Sequence, residues 1–362
     1  GTATNGQKMT FSTWFKIGTQ SSQQSLLSSV TGSGPATDLK IMNAATHRNV
    51  FRFECITVEG STIDLKLNRS LRDPGAFYNL VIAVDTTQAT DSNRVKIYIN
   101  GVQETSFATA TYPTQNHTLD FSKTGITQQV GAYSNSNYWN GLMSYTAFVD
   151  GTAYDASYFG ETDSSSGIWK IETSPSVTYG NNGFFLKMDT SSPGSDTSGN
   201  NNTFTASGTP TLAQDNASNN FCTMNPLDNY FPNYTFANGN TTCTTGGNYS
   251  FPQSSFYLKS GKWYWEVKPI SKAGGGDEYM IGVAGRSASA TNQPPHNAAN
   301  GGIVILATTG ETYATGATGV SYGVAYAAGD IIGVALDLTN SKIYWSKNGT
   351  WMNSANPAGN TG

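Results

Sequence analysis

The chain has 362 residues and a formal net charge of -4, with 12% charged and 12% aromatic residues. Nucleic-acid binding is excluded as a first reading because it needs clustered Lys and Arg, and none occurs. No apolar run approaches the roughly 18 residues of a membrane-spanning helix, and so many aromatics exclude a disordered polar tract.

The length suggests two or three domains. Gly1 to Gln7 lacks both an initiator Met and the apolar run of a signal peptide, so it reads as the entry into a strand within a longer chain. The first strand signal is Met9 to Ile17, MTFSTWFKI, which alternates apolar and polar with period two. Asn49 to Cys55 alternates in the same way. Leu80 to Asp85, LVIAVD, is a nearly continuous apolar run, as expected for a buried central strand. Val95 to Ile99 is followed by Asn100-Gly101, a strong hairpin signal. Gly141 to Val149 closes this set, and a short helical turn is expected near Ala153 to Phe159.

Residues 189 to 218 are crowded with Ser, Gly, Asn and Thr and read as a linker. Beyond it come strand signals at Trp263 to Lys268, Tyr279 to Ala284, Asp330 to Asp337 and Ser341 to Gly349. Trp263, Trp265 and Trp345 read as core. An apolar strand ending in Asp85, then Lys96-Ile97-Tyr98, then Asn100-Gly101, is repeated as Asp337, Lys342-Ile343-Tyr344 and Asn348-Gly349. The same supersecondary unit therefore occurs twice. No segment sustains a helical period. The expected fold class is all-β, with two antiparallel jelly-roll sandwiches in tandem. The boundaries are 1–188, a linker at 189–218, and 219–362.

Cys55, Cys222 and Cys243 match neither a disulfide framework nor a zinc pattern, and three buried thiols are expected. A Cys222–Cys243 pair stays open. His47, His117 and His296 lie outside any metal-ligand spacing and read as exposed loop histidines.

The first half resembles laminin-G-like, concanavalin A-like jelly rolls. The resemblance is carried by Phe11 to Lys16, Leu80 to Asp85, Lys96 to Gly101, Val130-Gly131-Ala132 and Trp139 to Leu142. The second half resembles a SPRY (B30.2) domain through Ser260 to Val267, Ile281 to Ala284, Asp330 to Asp337 and Lys342 to Gly349. That resemblance stops soon after Trp351, so the domain reads as C-terminally incomplete. Between them, Tyr179 to Met188, Asp196 to Phe204 and Asn219 to Leu227 resemble a recurrent array in structural proteins of marine tailed bacteriophages. The resemblance implies a virion protein, a tail or capsid fibre. Its expected partners are other virion proteins, further copies of itself, and a host-surface glycan.

A glycosidase on this fold needs two carboxylates facing each other across a cleft. Glu54 and Glu59 are five apart and fall on opposite strand faces. No Glu-x-Asp-x-x-Glu spacing occurs, so no enzyme is expected. Laminin-G-like domains imply one cofactor, a calcium ion on rim loops, and Asp38, Asp85 and Asp91 are the candidate ligands. Carbohydrate binding would use exposed aromatics with loop amides. Tyr133, Asn135, Asn137, Tyr138 and Trp139 have that chemistry, although Trp139 also matches a packing position of the family. In the second half the loop Ser287 to Asn300, with Asn292 and His296, is long enough to present a ligand surface. Eight Asn-x-Ser/Thr sequons occur, as chance allows in an Asn- and Thr-rich chain. The expected role is host adhesion by a binding module on an exposed virion surface. A structural spacer, a depolymerase and a cellular surface lectin are the alternatives.

Overall fold

A computed structural model describes the chain except residues 19–21, 31–35, 45–46, 57–61, 190, 228–233, 246–250, 272–278, 286–300 and 315, and the side chains at 44, 47, 56, 62 and 122. Glu59, Asn292, His296 and the loop 287–300 lie outside the described residues. Two compact units form: Gly1–Pro226 with Phe236–Thr242, and Leu227–Thr235 with Cys243–Gly362. The described residues are all-β, with only short 3-10 turns, one of them Ala156–Tyr158 in the expected place.

The first unit contains β1 (Lys8–Ile17), β2 (Gln24–Val30), β3 (Ala36–Ala44), β4 (His47–Ile56), β5 (Thr62–Ser70), β6 (Tyr78–Asp85) and β7 (Val95–Ile99). These are followed by β8 (Val102–Gln103), β9 (Phe107–Thr111), β10 (Thr127–Val130), β11 (Gly141–Asp150), β12 (Gly160–Thr162), β13 (Trp169–Ile171) and β14 (Phe184–Leu186). Two six-stranded antiparallel sheets result, with orders β14-β11-β1-β6-β7-β8 and β10-β2-β3-β4-β5-β9. Alternate residues of both sheets fill one core: Met9, Phe11 and Phe15 from β1, Leu39 and Ile41 from β3, Phe51 and Phe53 from β4. Period-two alternation is therefore the cause of the sandwich.

The first sheet is buried on its outer side as well. Val81, Ala147, Val149 and Phe185 form a second apolar cluster with Ala156 and Phe159. This explains the continuous apolar run of β6, which lies between β1 and β7. It also buries the polar positions of β1. On that outer side Thr10 Oγ1 donates to Thr152 O at 2.8 Å, and on the core side the Thr13 and Thr146 hydroxyls bond to each other at 2.8 Å.

The stretch 189–218, a linker by composition, belongs to the first unit instead. Asp196 accepts from the backbone N–H of Phe185 (2.9 Å), Ser198 (2.8 Å) and Asn202 (2.8 Å). Phe204 packs edge-on against Phe184 with ring centroids 4.8 Å apart. Short polar residues cap their own backbone here, so a composition typical of flexible chain encodes a pinned one.

Beyond it, β15 (Tyr234–Ala237) pairs with β16 (Thr242–Thr245). The second unit contains β17 (Lys262–Val267), β18 (Met280–Val283), β19 (Ile303–Leu306), β20 (Glu311–Ala314), β21 (Val320–Ser321), β22 (Ile332–Asp337), β23 (Lys342–Lys347) and β24 (Thr350–Trp351). They form two antiparallel sheets, β17-β22-β23-β24 and β18-β19-β20-β21. Ile281, Ile305, Ile332, Val334 and Trp345 make the core. Trp345 is buried, as expected, and its indole N–H donates to Ile281 O at 3.0 Å. Trp265 packs against the core from a partly buried position. Trp263 departs from expectation: the core stops short of it, leaving it 41% exposed.

The repeated unit is real and extends further than the sequence pattern. In the first unit β1-β6-β7-β8 are neighbours, and in the second β17-β22-β23-β24 are. Lys8 faces Asp85 across β1 and β6, and Lys262 faces Asp337 across β17 and β22. The pairs close at 3.1 and 3.3 Å. Each aspartate then caps the turn that follows, through Thr87 N–H in one case and Thr339 N–H in the other.

Candidate functional site

The loop between β10 and β11 crosses from the edge of one sheet to the other. Its path is set by three residues in the left-handed region: Ser134 (φ 48), Asn135 (φ 55) and Asn137 (φ 47). Asn tolerates this conformation because its side chain can bond locally. A one-turn bridge, with N–H to O bonds of 2.9 and 2.8 Å, closes Tyr133 on Ser136. Gln129 on β10 clamps Asn135 twice: its Nε2 donates to Asn135 Oδ1 at 2.7 Å and its Oε1 accepts Asn135 N–H at 3.3 Å. Ser25 N–H donates to Asn137 O at 3.0 Å, and Gln24 Oε1 accepts Asn140 N–H at 2.9 Å.

The result is a rigid display of one aromatic. Tyr138 is 60% exposed, while its hydroxyl donates to Asn135 O at 2.6 Å. The ring is thus fixed from its polar end and open on its surface. Trp139 points the other way. It packs edge-on against Phe15 at 5.5 Å, and its indole N–H donates to Leu142 O at 3.2 Å. Of the five loop residues singled out in the sequence, Tyr138 and Asn135 face solvent, Tyr133 and Asn137 are half-buried, and Trp139 serves the core.

A charged row runs across the neighbouring strands. Ser25 Oγ donates to Asp38 at 2.6 Å, Lys40 pairs with Asp38 at 3.5 Å and with Glu54 at 2.6 Å. Arg52 pairs with Glu54 at 2.8 Å and holds Asp64 through two bonds of 2.8 Å. Burial pushes the Asp38 carboxyl up, against the opposing pull of the Ser25 hydroxyl and Lys40. This row escaped the sequence reading, yet its signal is visible: Asp38, Lys40, Arg52, Glu54 and Asp64 alternate with Leu39, Phe53 and Ile63.

The candidate calcium ligands do not come together. Asp38 lies within the charged row. Asp85 is occupied by Lys8, by Thr87 Oγ1 at 2.6 Å and by Gln88 Nε2 at 2.8 Å. Asp91 begins a 3-10 turn and accepts Ser92 N–H at 2.6 Å. Among the described residues no group of three or more His, Cys, Asp or Glu could hold a metal ion. The oxygen cage that calcium needs is not built from these three residues.

Two further expectations change. His117 is buried rather than exposed, and its backbone carbonyl accepts the Thr86 hydroxyl at 2.7 Å beside the end of β6. Of the three cysteines only Cys55 is buried; Cys222 is exposed and Cys243 intermediate.

The first unit is a concanavalin-like jelly roll that fixes an aromatic loop at a sheet edge. Residues 1–157 match the family model of the concanavalin A-like lectin/glucanases superfamily, and residues 262–357 match that of the SPRY domain. The chain therefore carries a laminin-G-type concanavalin A-like domain followed by a SPRY domain. No curated protein matches it. Among solved structures it is similar to domain 4 of an extracellular arabinanase from Geobacillus stearothermophilus in complex with arabinotriose. The two are 15% identical, with a TM-score of 0.32, and the match covers 41% of this chain and 64% of that one. It is also similar to tailspike protein 2 of an Escherichia coli O157:H7 bacteriophage, at 11% identity and a TM-score of 0.30, covering 44% and 21%. Domains LG4-5 of the mouse laminin alpha1 chain match at 9% identity and a TM-score of 0.30, covering 96% and 70%. The chain spans less than two thirds of the arabinanase domain and of the tailspike. Such distant likeness concerns the fold alone.

Proposed function

We propose that the first unit binds a glycan through the 133–139 loop, and that the chain is an exposed fibre or decoration module of a bacteriophage particle. The observation that carries the binding reading is Tyr138, an open ring whose hydroxyl is tied back to its own loop. A pyranose presents a C–H face that stacks on such a ring, and the neighbouring Asn135 and Asn137 amides match its hydroxyls. Because the left-handed backbone already fixes the loop, little ordering entropy is lost on binding. The virion setting is supported by the module order that the junction residues resemble. Many copies on one particle would raise the avidity of a weak site.

A binding module is a better reading than an enzyme. Glu54 and Asp64 are engaged by Lys40 and Arg52, which leaves that row poorly suited to a pair of catalytic carboxylates.

The test is saturable binding of labelled full-length protein, displayed multivalently, to bacterial cells and to a glycan panel. Tyr138→Ala is expected to weaken binding about tenfold, equivalent to about 1.4 kcal/mol. No binding by the unsubstituted protein would discard the glycan reading in favour of a structural spacer. Sugar release from host polysaccharide would revive the depolymerase reading.

A further inference from the structure

Lys16, near the end of β1, is 1% exposed, and its ammonium is enclosed by a loop some two hundred residues away in sequence. Its Nζ lies 2.8 Å from Asp215 Oδ2, 2.8 Å from Asn220 Oδ1 and 2.6 Å from Phe221 O. The Phe77 ring covers it at 5.5 Å. The two side chains of the loop are themselves held. Asn220 Nδ2 donates to Gly75 O at 3.0 Å, which turns the carboxamide oxygen toward Lys16. Phe221 N–H donates to Asp215 Oδ1 at 2.9 Å, which leaves the other carboxylate oxygen facing the amine. A nucleophile, an acyl group and a proton carrier thus share one site. Their arrangement is that of assisted acyl transfer, in which an adjacent base activates a buried amine.

We propose that Lys16 Nζ and Asn220 Cγ become joined in an intramolecular isopeptide bond, with Asp215 carrying the proton. Asp215 takes one proton from the ammonium, and the freed nitrogen lone pair attacks the carboxamide carbon. The carbonyl electrons move to Oδ1 and return as the carbon–nitrogen bond to Nδ2 breaks. Nδ2 leaves as ammonia after receiving the proton from Asp215, which ends as a carboxylate. The second proton lost by the amine leaves with the ammonia as ammonium. No oxidant or reductant is needed. Burial lowers the Lys16 pKa, against the pull of Asp215, so the surroundings favour the uncharged nucleophile. The bond would tie β1 permanently to the segment 215–221. It would also close a loop of about two hundred residues in the unfolded chain, restricting that state as a long disulfide loop does.

The experiment is intact-mass spectrometry of the purified full-length protein, followed by peptide mapping. The expected result is a mass below that of the sequence by one ammonia, with a peptide containing Lys16 covalently joined to one containing Asn220. The full sequence mass, or an ammonia loss mapped to another asparagine, would overturn the proposal and leave a buried ion pair. Lys16→Arg and Asp215→Asn are each expected to restore the full mass. Their folding does not bear on the result for the unsubstituted protein, which decides the matter alone. In denaturing gels the cross-linked chain should run ahead of the Lys16→Arg chain, and equal mobility would count against the bond.

Discussion

The two Asn-Gly hairpins offer a matched pair of perturbations. Asn100 and Gly101 have φ of 50 and 78, and Asn348 and Gly349 have φ of 49 and 82. Both are two-residue turns that need the left-handed region at both positions. Alanine at either glycine incurs the same backbone cost, about 1–2 kcal/mol. The surroundings then separate them. A Cβ on Gly101 would meet Trp169 ring carbons at 2.5 Å, whereas a Cβ on Gly349 meets nothing within 4 Å. Trp169 cannot easily withdraw, since its indole N–H donates to Asn79 Oδ1 at 3.1 Å. Overpacking of this kind adds about 1–3 kcal/mol. Gly101→Ala should therefore destabilise its hairpin by about 3 kcal/mol and Gly349→Ala by about 1 kcal/mol. Amide hydrogen exchange in full-length protein reads both hairpins at once. The difference of about 2 kcal/mol corresponds to roughly thirtyfold faster opening at Ile99 to Val102 than at Lys347 to Thr350, relative to the unsubstituted chain. Equal effects, or the larger effect at Gly349, would refute the claim that Trp169 makes the two turns unequal.

Burial pushes the Asp85 carboxyl up, but bonds from Thr87, Gln88 and Lys8 outweigh it and bring it from an ordinary 3.8 to about 2. Its folded value lies below its unfolded one, so its contribution is complete above about pH 4 and lost as pH falls toward 2. Asp85→Asn should flatten that part of an acid-unfolding curve, and an unchanged slope would contradict it. Burial pushes the Cys55 thiol up to about 12, so alkylation of the native protein at neutral pH should modify exposed Cys222 and spare Cys55, as peptide mapping would show. Asp196→Ala strands the Phe185 N–H and should cost about 1–3 kcal/mol. Proteolysis within 191–205 should accelerate, and no change would mean that the segment is held by other contacts. Trp345→Phe removes the bond to Ile281 O and should lower the unfolding temperature of the second unit, read by calorimetry.

The strands with clear alternation or continuous apolar runs, and the repeated hairpin, were legible in the sequence because they rest on local rules. Alternation with period two puts Phe11, Phe53 and Ile97 inward whatever their neighbours are. Asn-Gly fixes a two-residue turn by itself. The course of the 133–139 loop was legible for a related reason: Asn135 and Asn137 between aromatics imply left-handed turn conformations, and Tyr138 is left exposed beside them.

What lay beyond local rules was decided by the tertiary structure. Composition makes 189–218 a linker, yet Asp196 and Phe204 find partners on β14 that only the folded first unit provides. Trp139 and Tyr138 are adjacent in sequence and similar in chemistry, and only the core beside Phe15 sets one apart from the other. Asp38, Asp85 and Asp91 are alike as residue types, but each has separate neighbours, so spacing could not show whether they meet. Lys16 is the clearest case. Its alternating position marks it as outward-facing, and outward means solvent unless a distant segment covers that side. The covering residues, Asp215 to Phe221, stand some two hundred positions away, and a sequence carries no direct record of contacts at that range.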